Sequence, residues 1–429
     1  MWTYLKRTRI YSHFTPVTLI ALIAILGIHC STSKPLNVPA LKTNTSEHNS
    51  KSYVVLVSID GYRNDYTDLY SPPALTALRK EGASAEGLLP IYPSKTFTNH
   101  YSIATGLYAE NHGIVANSFY DPIRKETYKL SDRAKVQDGS WYGGEPLWVA
   151  AEKQGMLAGC YFWPGSEAAI QGIRPTYYFS YNDSTPIEER IAEIKRWLEL
   201  PISERPHLIT LYFSEVDTAG HHYGPRSKEV KEAVLKIDQG ISLLQKELDA
   251  THLPINLIVV SDHGMQQEDP KKVEYLDDYA DLKSMKIEGA GPQVLLYGSS
   301  PEETQNVFQK LSVNAKHYKI FKREKMPERF HYAKNPRGGD LVVIAEAPYS
   351  VGVHDFRFIV TPGNHGYDPD TTPSMRGIFY STGPQIKPAM KLPLFRNIHI
   401  YPFIMKILGL KLPKDGIDGK AEVLDGIYK

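Results

Sequence analysis

Cysteine is scarce in this 429-residue sequence, which contains only Cys30 and Cys160. Because Cys30 lies at the end of the amino-terminal leader, loss of that leader leaves one thiol and excludes a disulfide framework. An excess of charge of either sign is also missing, since 49 basic residues stand against 48 acidic ones, a formal net charge of +1. No global field therefore directs the chain to a nucleic-acid duplex or an anionic membrane surface, and an anionic substrate needs a local site.

A long hydrophobic run is missing too. The apolar stretch TPVTLIALIAILGI follows a basic segment and is too short for a comfortable membrane span. Residues 1–30 are therefore predicted to be a signal peptide or an N-terminal anchor. Lipidation at Cys30 stays open, because His29 stands where such cleavage sites have a small residue. Residues 31–52 are polar, contain proline and predict a linker, so the folded domain is expected at 53–429.

Three shorter apolar runs mark the core of that domain. YVVLVSID ends at Asp60, HLITLYFS lies shortly before Asp217, and NLIVVSD ends at Asp262. Runs without alternation, rich in Val, Ile and Leu, are typical of strands covered on both faces. Helical patterns separate them, which predicts an α/β fold with a mostly parallel central sheet sandwiched by helices. Ligands bind beyond the carboxyl ends of such strands, and all three aspartates fall there.

Two features of the pattern between and after these strands are more local. The stretch TPIEERIAEIKRWLEL opens with Thr185, Pro186 and Glu188, which predict a capping box at the start of a helix. From about 265 to 350 the pattern changes to short strands around the helical stretch PEETQNVFQKL. This segment is predicted to be a small α+β insertion packed on the main domain.

Aspartate and histidine residues form a joint pattern at the ends of the strands. His263 adjoins Asp262, His221 follows Asp217 by one helical turn, and His365 lies in a glycine-flanked loop. One strand-end aspartate is commonly a loop cap, and an isolated Asp-His pair can serve a core hydrogen-bond network. Three carboxylates with three imidazoles suit borderline ions such as zinc. Six ligands exceed one tetrahedral ion and predict two zinc ions, each with one position left for the reaction. The ligand set is Asp60, Asp217, Asp262, His221, His263 and His365.

Thr96 opens the helix-forming stretch TFTNHYSIATG directly after a proline-containing loop. Helix propensity gives no reason for this choice, because Thr and Phe are middling helix formers and Thr96 could equally be an ordinary cap. Paired metal ions act by holding the attacking and leaving oxygens of a displacement at phosphorus. Metal coordination can remove the hydroxyl proton of Thr96, and the helix amino terminus favours both an alkoxide and a phosphoryl group. Thr96 is therefore predicted to be the nucleophile.

Six stretches together resemble the nucleotide pyrophosphatase/phosphodiesterase family of the alkaline phosphatase superfamily. They occur in family order from Val57 to Asp368, across most of the folded part. The stretches are VSIDGYRNDY, YPSKTFTNHYSIATGLYAENHGIVAN, FWPGSEAAIQG, EVDTAGHHYGP, SDHGM and GNHGYD. One departure is Val216, where the family often has proline between the glutamate and the ligand aspartate.

The resemblance implies a division of the site residues. It assigns one zinc ion to Asp60, Asp262 and His263 together with Thr96, and the other to Asp217, His221 and His365. It implies that the side-chain amide of Asn117 binds a phosphate oxygen, which suits the charge on a five-coordinate phosphorus. Phe97 and Tyr181 match aromatic residues that stack on a nucleobase, and Lys95 and Tyr212 are expected to border the site. Packing alone can also explain both aromatic residues.

The expected activity is hydrolysis of nucleotide phosphodiester or phosphoanhydride bonds, with release of a nucleoside monophosphate through a phosphothreonine intermediate. Choline phosphodiesters, lysophospholipids and phosphate monoesters are alternative substrates for the same site, and a binding protein on this scaffold is an alternative of another class. The cysteine-rich extensions of animal relatives are missing, which favours a bacterial enzyme exported to the periplasm or secreted. Its partner is then a small nucleotide or phosphodiester, with membrane contact only through an N-terminal anchor.

Overall fold

The protein is represented by a computed structural model, which describes residues 42–354 and 358–429. The predicted leader, residues 1–30, lies outside the described residues. The described α-helices are α1 (Tyr66–Tyr70), α2 (Pro73–Glu81), α3 (Thr96–Thr105), α4 (Ala109–His112), α5 (Arg133–Val136), α6 (Leu147–Lys153), α7 (Ile187–Leu198), α8 (Glu215–Tyr223), α9 (Lys228–Ala250), α10 (Pro301–Asn314) and α11 (Ile400–Leu408).

The strands form one large sheet and several small ones. In chain order they are β1 (Tyr53–Ile59), β2 (Ala83–Ala85), β3 (Leu88–Leu89), β4 (Ser118–Asp121), β5 (Glu126–Lys129), β6 (Ala158–Tyr161), β7 (Tyr177–Phe179), β8 (Leu208–Phe213), β9 (Ile255–Val260), β10 (Gln266–Gln267), β11 (Val273–Tyr275), β12 (Lys286–Glu288), β13 (Gln293–Tyr297), β14 (Tyr318–Lys322), β15 (Leu341–Ala345), β16 (Ser350–Gly352), β17 (Gly363–Asn364), β18 (Phe379–Thr382), β19 (Met390–Leu392) and β20 (Phe395–Arg396).

The large sheet has eight strands in the order β19-β2-β18-β9-β1-β8-β6-β7. Strand β1 lies at its centre and pairs in parallel with both β8 and β9. Strands β6 and β7 continue the parallel pairing on one side. Strand β18 is antiparallel to both of its neighbours, so it is the reversed strand of a mostly parallel sheet. The predicted fold class is confirmed.

Helices cover both faces of this sheet, as the uninterrupted apolar runs predict. Every residue of β1 is buried. Val54 and Leu56 belong to a core that also contains residues of α3 and α11, whereas Val55 and Val57 belong to a core with residues of α7 and α9. Alternate side chains of one strand therefore enter two different cores, which explains why the run is apolar from Tyr53 to Val57. The strand thus lies between two cores and ends at the edge that carries the aspartates.

A small antiparallel sheet accounts for the segment predicted as an insertion. Its strand order is β12-β13-β15-β14, with α10 packed against it. The hydroxyl of Ser300 accepts a hydrogen bond from the Glu303 backbone N–H and caps α10. Val307 and Leu311 of α10 are buried in a third core with Leu341 of β15. The segment thus has its own apolar core beside the main sheet.

Residues 42–52, the second half of the predicted linker, pack on the domain. The amide of Asn44 donates to the carbonyl oxygens of Ile202 and Arg205 at 3.0 and 2.7 Å, and its Oδ1 accepts from the Leu157 N–H at 2.8 Å. Among the described residues, no helix combines the length and the hydrophobicity that a membrane span requires.

The predicted capping box of α7 is wrong. The helix begins at Ile187 with Pro186 in the cap position, and no side chain caps it. Thr185 lies one residue too early, and its carbonyl oxygen instead accepts hydrogen bonds from the buried guanidinium of Arg190 at 3.0 and 2.8 Å. A buried side chain from inside the helix therefore fixes this end of α7, which a local sequence pattern does not encode.

A buried carboxylate of α9 caps helix α2 from outside. Pro72 occupies the cap position of α2 and supplies no side-chain acceptor. Asp238, which is 4% exposed, accepts hydrogen bonds from the N–H groups of Ala74 at 3.1 Å and Leu75 at 2.8 Å. The carboxylate also complements the positive end of the helix dipole.

Asp238→Ala should therefore lower the free energy of unfolding by about 2 kcal/mol, because it leaves two helix N–H groups without their acceptor. Urea unfolding measures this change. Asp249→Ala, at an exposed position near the end of the same helix, is the control and should change stability by less than about 0.5 kcal/mol. Equal stabilities of the two variants would contradict the capping role.

Candidate active site

Three strand ends bring three aspartates to one edge of the central sheet. Asp60 follows β1 directly, Asp262 lies two residues beyond β9, and Asp217 lies in the first turn of α8 just after β8. Gly61 has φ +67°, and a Cβ atom there would lie 2.9 Å from the Cα of Asp217. Glycine is therefore required for α8 to approach the end of β1 this closely.

The first ligand group is completely buried. Nε2 of His263 lies 2.9 Å from Oδ2 of Asp262 and 3.4 Å from Oδ1 of Asp60. One ligand atom from each of these three residues lies within 4.8 Å of the other two. Oγ1 of Thr96 lies 3.2 Å from the same Nε2 atom. The structure therefore brings together the four residues that the sequence assigned to one ion.

The second ligand group adjoins the first. Nε2 of His365 lies 3.7 Å from Oδ1 of Asp217, and Nε2 of His221 lies 3.5 Å from Oδ2 of the same carboxylate. Asp217, His365 and His263 form a second set whose ligand atoms lie within 4.8 Å of one another, and His221 lies beside this set through its contact with Asp217. The rings of His263 and His365 stack at 3.5 Å between centroids. The two groups are thus continuous through His263.

The three histidines share one orientation. Nδ1 of His221 lies 2.8 Å from the Gly363 carbonyl oxygen, and Nδ1 of His263 lies 2.8 Å from that of Gly264. Nδ1 of His365 lies 2.8 Å from the carbonyl oxygen of Ser94. A carbonyl only accepts, so each Nδ1 carries hydrogen and each Nε2 keeps a lone pair for a metal ion.

Three buried carboxylate oxygens support a cation in this cluster. Oδ1 of Asp60, Oδ1 of Asp217 and Oδ2 of Asp262 have no hydrogen-bond partner among the described residues. Burying such atoms without a partner is unfavourable, and a divalent cation satisfies all three. Carboxylate oxygens combined with imidazole nitrogens form a donor set that fits a borderline transition metal. The residues present therefore fit the metal that the sequence predicts.

Burial and neighbouring charged groups shift the pKa values of Asp60 and His365 in the absence of metal. Burial and the carboxylates of Asp262 and Asp217 raise the pKa of Asp60 well above its ordinary value. Burial, together with the neighbouring cationic side chain of Lys95, lowers the pKa of His365 well below the ordinary value for histidine. The cluster thus combines mutually repelling carboxylates with a neutral imidazole, an arrangement that a divalent cation relieves.

Helix α3 begins at Thr96, with Lys95 in the cap position and no side chain capping it. The positive end of the helix dipole therefore lies beside the Thr96 hydroxyl. Oδ1 of Asn117 accepts from the Phe97 N–H at 3.1 Å, which leaves the NH₂ end of this amide as a donor for a ligand. Burial lowers the pKa of Lys95 to about 8, and its Nζ lies 3.4 Å from Oδ1 of Asn364.

The predicted aromatic residues occupy different surroundings. Tyr212 is 7% exposed, and its hydroxyl donates to Oδ2 of Asp60 at 2.6 Å, so this group is directed at a carboxylate of the cluster. Tyr181 is 37% exposed, and its hydroxyl donates to Oγ of Ser214 at 3.1 Å. Phe97 is half-buried, with its ring centroid 6.4 Å from that of Tyr128. Tyr181 and Phe97 therefore keep accessible ring surface.

Sequence reasoning missed two polar residues beside these groups. Glu167 is buried, and its Oε1 accepts from the Tyr181 N–H at 3.0 Å. His100 is fully buried one turn after Thr96, with Nδ1 2.9 Å from the Thr96 carbonyl oxygen. The spacing of four residues in a helix could have signalled the second contact. The contact of Glu167 with Tyr181 depends on loop geometry, which no pattern in the sequence encodes.

Known proteins match most of this chain. A family model described as type I phosphodiesterase / nucleotide pyrophosphatase matches residues 54–368. Ectonucleotide pyrophosphatase/phosphodiesterase family member 1 of Homo sapiens is 38% identical over 386 residues, 86% of this chain and 41% of that protein. Venom phosphodiesterase of Naja atra is 35% identical over 387 residues, 87% of this chain and 46% of that protein. The chain spans less than half the length of these relatives.

Solved structures lead to the same family. Murine ectonucleotide pyrophosphatase / phosphodiesterase 5, in an inactive threonine-to-alanine variant in complex with AMP, matches with a TM-score of 0.84 at 29% identity. The match covers 88% of this chain and 100% of that chain. The chain therefore belongs to the type I phosphodiesterase / nucleotide pyrophosphatase family, and the resemblance drawn from the sequence is confirmed.

Binding of a divalent metal is tested most simply by its effect on stability. Addition of Zn²⁺ to chelator-treated protein, at 100 to 1,000 times its dissociation constant, should stabilise the fold by about 3–4 kcal/mol and raise the melting temperature by several degrees. Asp60→Asn should lose most of this rise, because it removes one of the three anionic ligands.

Glu152→Gln is the matched control, because Glu152 is also a buried carboxylate but its Oε1 already accepts from the N–H groups of Ala158 and Thr176 at 3.1 and 2.8 Å. This variant should be less stable than the wild type yet keep the full zinc-induced rise. An undiminished rise in Asp60→Asn would contradict the metal site.

Proposed function

We propose that the chain is a two-zinc phosphodiesterase and nucleotide pyrophosphatase that releases nucleoside monophosphates through a phosphothreonine intermediate. The observation that carries this proposal is the position of Thr96. Its hydroxyl stands at the amino terminus of α3, 3.2 Å from the imidazole of a buried group of two carboxylates and one histidine. A hydroxyl placed there is suited to become a nucleophile.

Asp60, Asp262 and His263 would hold one zinc ion together with Thr96, and Asp217, His221 and His365 would hold the other. When bound, the ions lower the pKa of the Thr96 hydroxyl and of water and neutralise the charge of the phosphoryl group and its leaving oxygen. The Nδ1 contacts of the three histidines keep their Nε2 atoms available for this role.

The reaction then consists of two displacements at phosphorus. Oγ1 of Thr96 loses its proton to solvent and forms a bond to phosphorus while the bond to the leaving alcohol or phosphate oxygen breaks. The leaving oxygen takes up a proton from solvent, which gives the phosphothreonine and the first product. Water next attacks the same phosphorus, the bond to Oγ1 breaks, and Thr96 regains its proton. The positive end of the α3 dipole and the NH₂ group of Asn117 would stabilise the non-bridging oxygens as their charge grows.

Aromatic surface near the site favours nucleotides among the phosphodiesters. The structural relative bound to AMP is 29% identical to this chain, which supports a nucleoside monophosphate as product. Phe97 adjoins the nucleophile in sequence, and the Tyr181 ring lies 6.0 Å from that of Tyr212, whose hydroxyl binds Asp60. The rings of Phe97 and Tyr181 would stack on the two faces of the base. Nucleoside triphosphates, dinucleotides and dinucleotide polyphosphates are the proposed substrates.

The proposed enzyme acts outside the cytoplasm, in the bacterial periplasm or as a secreted protein. Relatives carry names that describe ectoenzymes and venom enzymes, which supports export. The near balance of 49 basic and 48 acidic residues supports a small substrate rather than a nucleic-acid duplex.

Thr96→Ala should lower kcat for phosphodiester hydrolysis at least about a thousandfold, because no other group takes over attack at phosphorus. Zinc content by elemental analysis should stay near that of the wild type, since the carboxylate and imidazole ligands remain. Thr98→Ala, at a buried threonine in the same helix turn, is the control and should keep kcat within about threefold. Full activity of Thr96→Ala would exclude its role as nucleophile.

The substrate class is tested with nitrophenyl esters of thymidine monophosphate, phosphorylcholine and phosphate. The thymidine ester should have the highest kcat/KM, and Phe97→Ala should reduce it by roughly 5- to 150-fold, because stacking on a base contributes about 1–3 kcal/mol. The same substitution should leave the choline ester nearly unaffected. A preference of the wild type for the choline ester, or for the monoester, would replace the nucleotide assignment with one of these alternatives.

A further inference from the structure

His100 contacts all three chain segments that carry the residues of the first ligand group. Its Nε2 lies 2.8 Å from Oγ of Ser58, near the end of β1, two residues before Asp60. Its Nδ1 lies 2.9 Å from the Thr96 carbonyl oxygen and 3.3 Å from Oδ2 of Asp262. One imidazole thus joins the first turn of α3, the end of β1 and the segment after β9.

The hydrogen-bond partners determine which ring nitrogen carries hydrogen. The Thr96 carbonyl only accepts, so Nδ1 of His100 donates to it. Nε2 then accepts from the hydroxyl of Ser58. The His100 ring therefore uses both nitrogens at once, and neither is left for a substrate or a metal ion.

Two aromatic rings hold the imidazole in this orientation. Trp163 and Tyr212 pack edge-on against it, with centroid distances of 5.2 and 5.1 Å and interplanar angles of 80° and 75°. The hydroxyl of Tyr212 donates to Asp60 at 2.6 Å. Nε1 of Trp163 donates to the His100 carbonyl oxygen at 3.2 Å. Through Tyr212, the surroundings of His100 therefore also contact Asp60, the other carboxylate of the first ligand group.

We propose that His100 is a positioning residue for the reaction, which fixes the Thr96 hydroxyl relative to Asp60 and Asp262 so that all three reach one metal ion. This inference rests on the proposed function. Small displacements of a nucleophile cause large losses of rate, and partners that orient metal ligands affect metal affinity as well as turnover. His100 acts through these residues and does not itself touch the substrate.

The chain offers a matched control in His112. This histidine is also fully buried, its Nε2 lies 2.8 Å from the hydroxyl of Ser102, and its Nδ1 accepts from the Ile114 N–H at 3.1 Å. None of these partners belongs to the ligand groups. Leucine at either position removes a buried histidine with two hydrogen bonds, so the two substitutions disturb packing to a similar degree.

The test compares His100→Leu with His112→Leu in the full chain loaded with zinc. Both should lower the melting temperature. His100→Leu should in addition lower kcat about 10- to 100-fold with KM changed less than about threefold, and lower zinc affinity about tenfold in competition with a chelator. His112→Leu should keep kcat and zinc affinity within about twofold of the wild type.

Two milder variants keep the proposal testable if His100→Leu does not fold. His100→Asn keeps a donor for the Thr96 carbonyl but loses the bond to Ser58, and Ser58→Ala loses the same bond while keeping the imidazole. Both should lower kcat by an amount between the wild type and His100→Leu, or about three- to tenfold if that variant cannot be measured. Values of kcat and zinc affinity equal to those of His112→Leu in every one of these variants that folds would overturn the positioning role.

Separate measurements test the positioning role of His100 and the proposed function. Zinc affinity needs no substrate, so the comparison of His100 with His112 variants holds whichever phosphoester is hydrolysed. A wild-type chain that binds zinc but hydrolyses no phosphodiester would contradict the proposed function. Identical zinc affinity and identical kcat in the His100 and His112 variants would contradict the positioning role alone.

Discussion

Mutual repulsion of three neighbouring carboxylates, two of them fully buried, is the constraint on which the rest of the site depends. The parallel pairing of β1 with β8 and β9 forces Asp60, Asp217 and Asp262 to one edge of the sheet. Each carboxylate keeps a buried oxygen without a hydrogen-bond partner among the described residues. Removing such groups from water without compensation is strongly unfavourable, and a cation bound at this edge would supply that compensation.

The other groups of the site follow from that requirement. Three histidines present Nε2 to the cluster because backbone carbonyls hold their Nδ1 atoms. The amino terminus of α3 adds partial positive charge at Thr96, where a phosphoryl group would arrive. Tyr212 uses its hydroxyl on Asp60, which leaves the more exposed Tyr181 to offer ring surface. The two tyrosines therefore differ in burial: Tyr212 is buried and binds a carboxylate, whereas Tyr181 is more exposed and keeps an accessible ring.

The sequence was sufficient for the fold class and for the gathering of the ligands, because each aspartate follows a run of buried apolar residues. It was insufficient for contacts between distant segments. The bond from Tyr212 to Asp60 joins residues 152 positions apart, and the cap that Asp238 provides for Leu75 joins residues 163 apart. Neither has a local signature. The capping box at Thr185 is the opposite case, because a local motif is present in the sequence but does not cap the helix. The buried side chain of Arg190 donates to the Thr185 carbonyl oxygen instead.

In the proposed site, two zinc ions lie at this edge of the sheet and Thr96 is bound to one of them. Anomalous diffraction at the zinc absorption edge, from crystals grown with zinc, would locate both ions. Two anomalous peaks are expected. One should lie about 2 Å from ligand atoms of Asp60, Asp262, His263 and Thr96, and the second beside Asp217, His221 and His365. A single peak remote from Thr96, or no peak at these side chains, would contradict it.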